Sequence, residues 1–222
     1  MLSAAIDTLI FDLDNTLADR NKAMRKTMEH WLQLHAGHPC PLALIMEQDA
    51  EGYTDRTLFC SWLLDTFGTQ TTGIDDPAAL LLYIQQTMLK YLAPDPGVLQ
   101  LMEKLRQRFR LVLASNGSSQ VQRAKLQQCG LIGYFDEEHI FISGEMGLAK
   151  PATGFYTTIL ERLAIHPQQA MMTGDDLTND IRPAQQCGLF SCWVSQGRST
   201  GQAVTPDLTI HHITALDQWL KC

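Results

Sequence analysis

The sequence has no apolar run long enough to span a bilayer, no Cys-x-x-Cys pair and no basic stripe, and each absence excludes a class of function. A membrane-crossing helix needs about 20 consecutive apolar residues. Met1-Leu2-Ser3-Ala4-Ala5 carries no basic side chain, and the apolar stretch after it is broken by Asp7 and Asp12. Neither a signal peptide nor a membrane span is expected, and the expected location is cytoplasmic. The cysteines (Cys40, Cys60, Cys129, Cys187, Cys192 and Cys222) are not paired at metal-ligand spacing, and the histidines do not cluster beside them. A zinc site is therefore not expected, and free thiols in a reducing compartment are. With 17 Lys and Arg against 24 Asp and Glu, the formal charge is −7. That sign opposes charge-driven binding of a nucleic acid polymer. It does not oppose a small anionic ligand, because one lysine or a metal ion reverses the field locally.

What is present is an ordinary globular balance, 45% hydrophobic and 18% charged over 222 residues, enough for one α/β core with a smaller insertion. Short apolar runs at 6–11, 111–114, 140–142, 170–173 and 190–194 read as strands, with an edge strand around 208–210. Helical patterns separate them at 121–128, 153–163 and 181–186, one with Leu99, Met102 and Leu105 on its face precedes the second strand, and a last one lies near Leu216. Strands alternating with helices predict a Rossmann-like, doubly wound parallel sheet. After the first strand the rhythm breaks. Residues 22–91 are helical in pattern, with Met24, Met28, Trp31, Leu32 and His35 at helical spacing and further helices at 57–67 and 77–90. The predicted organisation is a core of residues 1–16 and 93–222 with an inserted α-helical cap, residues 17–92.

In such a sheet, ligands bind beyond the carboxyl ends of the strands. Asp12 and Asp14 follow the first strand, Ser115 and Asn116 the second, Lys150 the third, and Asp175 and Asp176 the fourth. Residues i and i+2 of an extended chain point the same way, so Asp12 and Asp14 can face one pocket. Two carboxylates held together repel, which a divalent cation relieves, and an oxygen-only donor set completed by Asp175 favours Mg²⁺. These parts suit phosphoryl transfer, which needs positioning and neutralisation of the phosphoryl oxygens. Asp12 can attack phosphorus, and Asp14 can protonate the leaving oxygen and later take a proton from water. Ser115 and the amides around Asn116-Gly117 can donate to phosphate oxygens, and Lys150 supplies a fixed positive charge.

The run Phe11-Asp12-Leu13-Asp14-Asn15-Thr16-Leu17 resembles the first motif of the haloacid dehalogenase superfamily in its phosphatase form. Ser115-Asn116-Gly117 resembles the second motif, Lys150-Pro151 the third, and Gly174-Asp175-Asp176-Leu177-Thr178-Asn179-Asp180 the fourth, in order. The resemblance covers the core, and the cap matches in place and helical character. It implies Asp12 as nucleophile, Asp14 as acid and base, and Asp12, the Asp14 carbonyl and Asp175 as Mg²⁺ ligands. It implies phosphate binding by Ser115, Asn116 and Lys150, with Asp180 as a supporting group; Asp176 supports the site where many relatives have a small hydroxyl residue. Relatives that dehalogenate lack an acid two residues after the nucleophile, so Asp14 points to phosphoester chemistry.

Each fragment has a plain structural alternative: an acid ending a strand, a helix cap, a solvated loop lysine. The four together, each at a strand end, make the expected function a phosphohydrolase acting on a small phosphorylated metabolite, such as a sugar phosphate or nucleoside monophosphate. A phosphomutase of the same superfamily and a non-catalytic binding protein retaining the fold are the alternatives. In the cap, Arg25, Tyr53 and Arg56 are the candidates for contact with the substrate's organic or anionic part.

Overall fold

A computed structural model of the chain describes residues 6–199 and 204–220; Met1 to Ala5 and Cys222, considered above, lie outside them. The described residues form two compact units, one made of the segments up to Ala18 and from Ala93 onward, the other Asp19–Leu92.

The first unit is built on six strands: β1 (Thr8–Phe11), β2 (Arg110–Ser115), β3 (Ile140–Ile142), β4 (Ala170–Gly174), β5 (Phe190–Val194) and β6 (Leu208–Ile210). They form one sheet in the order β3-β2-β1-β4-β5-β6, with every neighbouring pair parallel. β1, β3 and β4 are buried along their whole length. Strands covered on both faces cannot show polar alternation, which is why these segments read as continuous apolar runs. Successive side chains point to opposite faces. On one face Ile10, Val112, Ala114, Phe141 and Met172 pack with Phe155, Tyr156, Ile159 and Ala184 from the following helices.

Asp95 caps the helix Pro96–Leu105, its Oδ1 accepting from Gly97 N at 2.7 Å and Val98 N at 3.1 Å. That helix buries Val98, Leu101, Met102 and Leu105, so its inward face is rotated from the predicted Leu99, Met102 and Leu105. Ser119–Gln128, Thr153–Arg162 and Arg182–Gln186 connect later strands. The closing helix near Leu216 is a 3-10 segment, Ile213–Gln218.

The second unit holds α1 (Arg20–Leu34), α2 (Leu42–Asp49), α3 (Arg56–Phe67) and α4 (Pro77–Tyr91). Asp19, Asp55 and Asp76 cap α1, α3 and α4 through their side chains. Part of the chain's acidic excess is thus spent on helix starts, where the dipole favours negative charge. Met24, Met28 and Trp31 of α1 are fully buried, with Ile45, Cys60, Leu63 and Leu80 from the other helices. Trp31 meets Phe67 edge-on, ring centres 6.0 Å apart. Helix α2 is not among the predicted elements. Its N-cap is Pro41, with no side-chain cap, so the signal that marked the other three helices is missing. Among the described residues no helix is long and apolar enough to cross a membrane. The described cysteines, Cys40, Cys60, Cys129, Cys187 and Cys192, are free thiols.

Candidate active site

β1 delivers Asp12 to the carboxyl end of the sheet, where Asp12 N donates to Thr173 O of β4 at 3.0 Å. The chain then curls back on itself. Leu17 N and Ala18 N both donate to Leu13 O, at 3.0 and 2.9 Å, and Asn15 takes a left-handed conformation with φ 60°. Asparagine adopts that region more readily than most residues. The curl keeps Asp12 buried while the Asp14 side chain stays about one-quarter exposed, at 26%.

Lys150 stands at the centre of the site. Its Nζ is 2.7 Å from Asp12 Oδ1 and 2.7 Å from Asp180 Oδ1, and all three side chains are buried. Asp180 is held in turn, its Oδ2 accepting from Asp176 N at 3.1 Å. Asp176 caps the π-helical turn Leu177–Ile181, accepting from Thr178 N at 2.6 Å and Asn179 N at 2.7 Å. Tyr156 OH donates to Asn179 O at 2.8 Å and fastens the same turn from the sheet side.

Asn116 joins two loops. Its carboxamide donates to Lys150 O at 2.8 Å and accepts from Lys150 N at 3.0 Å. Ser115, the last residue of β2, is 1% exposed, and its Oγ accepts from Gln122 Nε2 at 2.7 Å. Gly117 N, in the loop read as a source of phosphate-binding amides, donates to Ser143 Oγ at 2.9 Å.

Carboxylate oxygens of Asp12, Asp175 and Asp180 lie within 4.8 Å of one another, all three residues buried. Burial pushes Asp12 up to about 7, against the pull of Lys150. Burial and the charges of Asp12 and Asp180 push Asp175 up to about 8, although Arg198 opposes this. Burial also raises Asp180. For Lys150, burial disfavours the charge, but Asp12 and Asp180 hold it above the usual lysine range. Three buried carboxylates that resist ionising together, with only oxygen donors, form a set that fits a hard divalent cation.

The predicted residues are therefore distributed over two adjoining groups. Asp12, Lys150, Asp175 and Asp180 form one, with Asp176 and Asn116 fixing its loops. The Asp14 carboxylate belongs to the other: both its oxygens meet Lys125 Nζ, at 2.8 and 2.6 Å, and Oδ2 also accepts from Gln122 Nε2 at 3.1 Å. In the helical unit, Arg25 lines a pocket of about 530 Å³ with Asn21, Lys22, Met46, Glu47 and Glu51. Tyr53 is 57% exposed. Arg56 donates to Asp49 Oδ1 at 2.8 Å and to Thr54 O, partners that occupy much of its guanidinium.

Sequence reasoning missed Gln122, Lys125 and Arg198. Arg198 Nη2 donates to Asp175 Oδ2 at 3.1 Å and to Asp175 O at 2.9 Å. It lies in a loop without any periodic signal. Gln122 and Lys125 had one available signal. The helix Ser119–Gln128 is poor in apolar residues, so its inward face had to carry polar ones.

A family model of haloacid dehalogenase-like hydrolases matches residues 6–188. Among curated relatives, the pyrimidine 5'-nucleotidase YjjG of Escherichia coli is 31% identical over 60% of this chain and 59% of that protein. The glyceraldehyde 3-phosphate phosphatase of Methanopyrus kandleri is 27% identical over 87% of this chain and 85% of that protein. With matches to 59%, 42% and 52% of their lengths, the chain spans about half of the first curated relatives it resembles. Among solved structures, the magnesium-bound HAD-hydrolase YfnB of Bacillus subtilis superposes with a TM-score of 0.73. That match covers 97% of this chain and 98% of that one at 23% identity, a likeness of fold.

Proposed function

The chain belongs to the haloacid dehalogenase-like hydrolases, and on that footing we propose that it is a Mg²⁺-dependent phosphohydrolase cleaving a phosphomonoester of a small metabolite. The observation that carries this reading is the double ion pair of Lys150 with Asp12 and Asp180, beside Asp175, at the carboxyl end of the sheet.

Asp12 attacks phosphorus, the bond from phosphorus to the ester oxygen breaks, and Asp14 gives its proton to that oxygen as it leaves. Water then attacks the aspartyl-phosphate and loses its proton to Asp14. Inorganic phosphate departs and the Asp12 carboxylate is restored. Lys150 neutralises the equatorial phosphoryl oxygens beside Asp12, and the Ser115 hydroxyl donates to one of them. Asp180 keeps Lys150 aimed, and Asn116 fixes the loop that carries it. Asp12, Asp175 and the Asp14 carbonyl would hold Mg²⁺, which when bound supplies charge neutralisation for the phosphoryl group.

The substrate class is a sugar phosphate or nucleoside monophosphate, by analogy with the activities named for the curated relatives. Selection among them falls to the helical unit, to Arg25 and Tyr53 before Arg56, whose guanidinium is engaged by Asp49.

The test is phosphate release from a panel of sugar phosphates, nucleotides and a chromogenic ester, with and without Mg²⁺, beside Asp12→Asn. Magnesium-dependent release that falls by about 10³-fold or more in the variant is expected. Folded protein that releases no phosphate from any member of the panel would overturn the reading.

A further inference from the structure

The helix Ser119–Gln128 turns two polar side chains inward: Gln122 is 1% exposed and Lys125 is 5% exposed, with Leu126 the one apolar residue buried beside them. Burying an amide and an ammonium costs free energy unless both find partners. Both do, and the partners belong to the residues to which the phosphoryl chemistry has been given. Lys125 Nζ lies 2.8 and 2.6 Å from the two oxygens of Asp14. Gln122 Nε2 reaches Asp14 Oδ2 at 3.1 Å, Ser115 Oγ at 2.7 Å and Asn116 O at 2.7 Å.

The orientation of the Gln122 amide follows from these neighbours. A carboxylate oxygen and a backbone carbonyl can only accept, so the amide nitrogen must face them, not the amide oxygen. Ser115 Oγ, at 2.7 Å from the same nitrogen, shares one of its two protons, and the Ser115 proton is directed elsewhere. Gly117, with φ +138°, leaves room for this arrangement: a Cβ there would come within 3.1 Å of Gln122 Cγ and Cδ.

We propose that Lys125 and Gln122 are positioning residues that hold Asp14 where it meets the leaving oxygen, Gln122 also turning the Ser115 proton toward the phosphoryl group. The assignment rests on the phosphohydrolase reading and names two residues that act through others. The charge-assisted contacts hold the ionised Asp14; once it carries a proton on Oδ1, Lys125 at 2.6 Å and Gln122 at 3.1 Å still hold Oδ2 and keep the donor from rotating away from the leaving oxygen.

The consequence depends on the leaving group. A dinitrophenolate departs without a proton, whereas a sugar or nucleoside alkoxide does not. A displaced Asp14 therefore slows the second kind of ester and spares the first. The experiment measures kcat/KM, which reports the steps through departure of the first product, for 2,4-dinitrophenyl phosphate and for the best alkyl phosphate of the wild type.

Lys125→Met is expected to lower kcat/KM for the alkyl ester by about 10- to 100-fold and for the aryl ester by about threefold or less, with Lys125→Arg recovering most of the loss. Equal loss on the two esters, or no loss on either, overturns the assignment while leaving the phosphohydrolase reading intact. Wild-type protein that hydrolyses neither ester overturns both. Lys125→Leu, read in the same way, replaces Lys125→Met if the latter does not fold.

Discussion

Gly174 and Asp180 approach so closely that a Cβ on residue 174 would lie 2.6 Å from Asp180 Cβ and nearer still to the carboxylate. The φ of Gly174 is not among the positive values, so the need for glycine is steric and not conformational. β4 ends there, and the turn carrying Asp180 folds directly over its last residue.

Gly174→Ala should therefore act on the site through Asp180. The added methyl forces the turn away, and Lys150 loses one of its two carboxylates. A fall in kcat of at least about 10-fold is expected, with destabilisation of about 1–3 kcal/mol. Steady-state kinetics and thermal melts check this; a variant as active and as stable as wild type would show that the turn shifts without consequence.

Asp12 carries a different expectation. Burial, with Asp180 and Asp14 nearby, pushes its carboxyl up to about 7, so near neutrality its charge opposes the folded state when no cation is bound. Asp12→Asn removes that charge, and in EDTA its Tm should exceed that of wild type by about 2–4 °C. Adding Mg²⁺ should raise Tm of the wild type more than that of the variant, since Asp12 is a proposed ligand. An equal rise in both proteins would remove Asp12 from the ligand set.

Asp49 is fully buried between two arginines, with Arg20 Nη2 at 2.8 Å from Oδ1 and Arg56 Nη1 at 2.8 Å from the same oxygen. Burial alone would raise its carboxyl; the hydrogen bonds and charges of Arg20, then Arg56, hold it below the ordinary range. A lowered folded value contributes stability that is fully present above the unfolded value, about 3.9, and is lost as pH falls through the folded one. Asp49→Asn should cost about 3–5 kcal/mol at neutral pH, because it leaves Arg20 buried without its carboxylate. The difference from wild type should shrink below about pH 4. Denaturant melts across pH check both; a gap that widens on acidification would contradict the assignment.

The sheet was legible because its strands are short apolar runs ended by polar residues, and β3 and β5 fall at the predicted bounds. The same punctuation marked Asp12, Ser115 and Asp175, which stand at the carboxyl ends of β1, β2 and β4, whereas Lys150 lies beyond the short helix Ser143–Met146 that follows β3. The remainder escaped for physical reasons. Helix α2 starts at Leu42, just after Pro39 and Pro41, without a capping side chain, so it lacked the mark of a start. The Asp49 cluster depends on tertiary proximity, which no local pattern records. In the helix of Gln122 and Lys125, polar residues are buried while Val121 is only half-buried, the reverse of an ordinary amphipathic pattern. Local rules of this kind are most often broken where function requires it, which makes such an inversion worth seeking in a sequence.

The position of β1 has a consequence for synthesis of the chain. It lies at the middle of the sheet, with Thr8 paired to Arg110 on one side and Ala170 on the other. The ribosome makes this strand before either partner, and at about 5–20 residues per second the second partner emerges on the order of ten seconds later. The helical segment Asp19–Leu92, a compact unit of its own, is complete well within that interval and can fold while the strand waits. An apolar segment, Leu9-Ile10-Phe11, thus spends its early life unpaired, the interval in which an exposed strand is most open to aggregation.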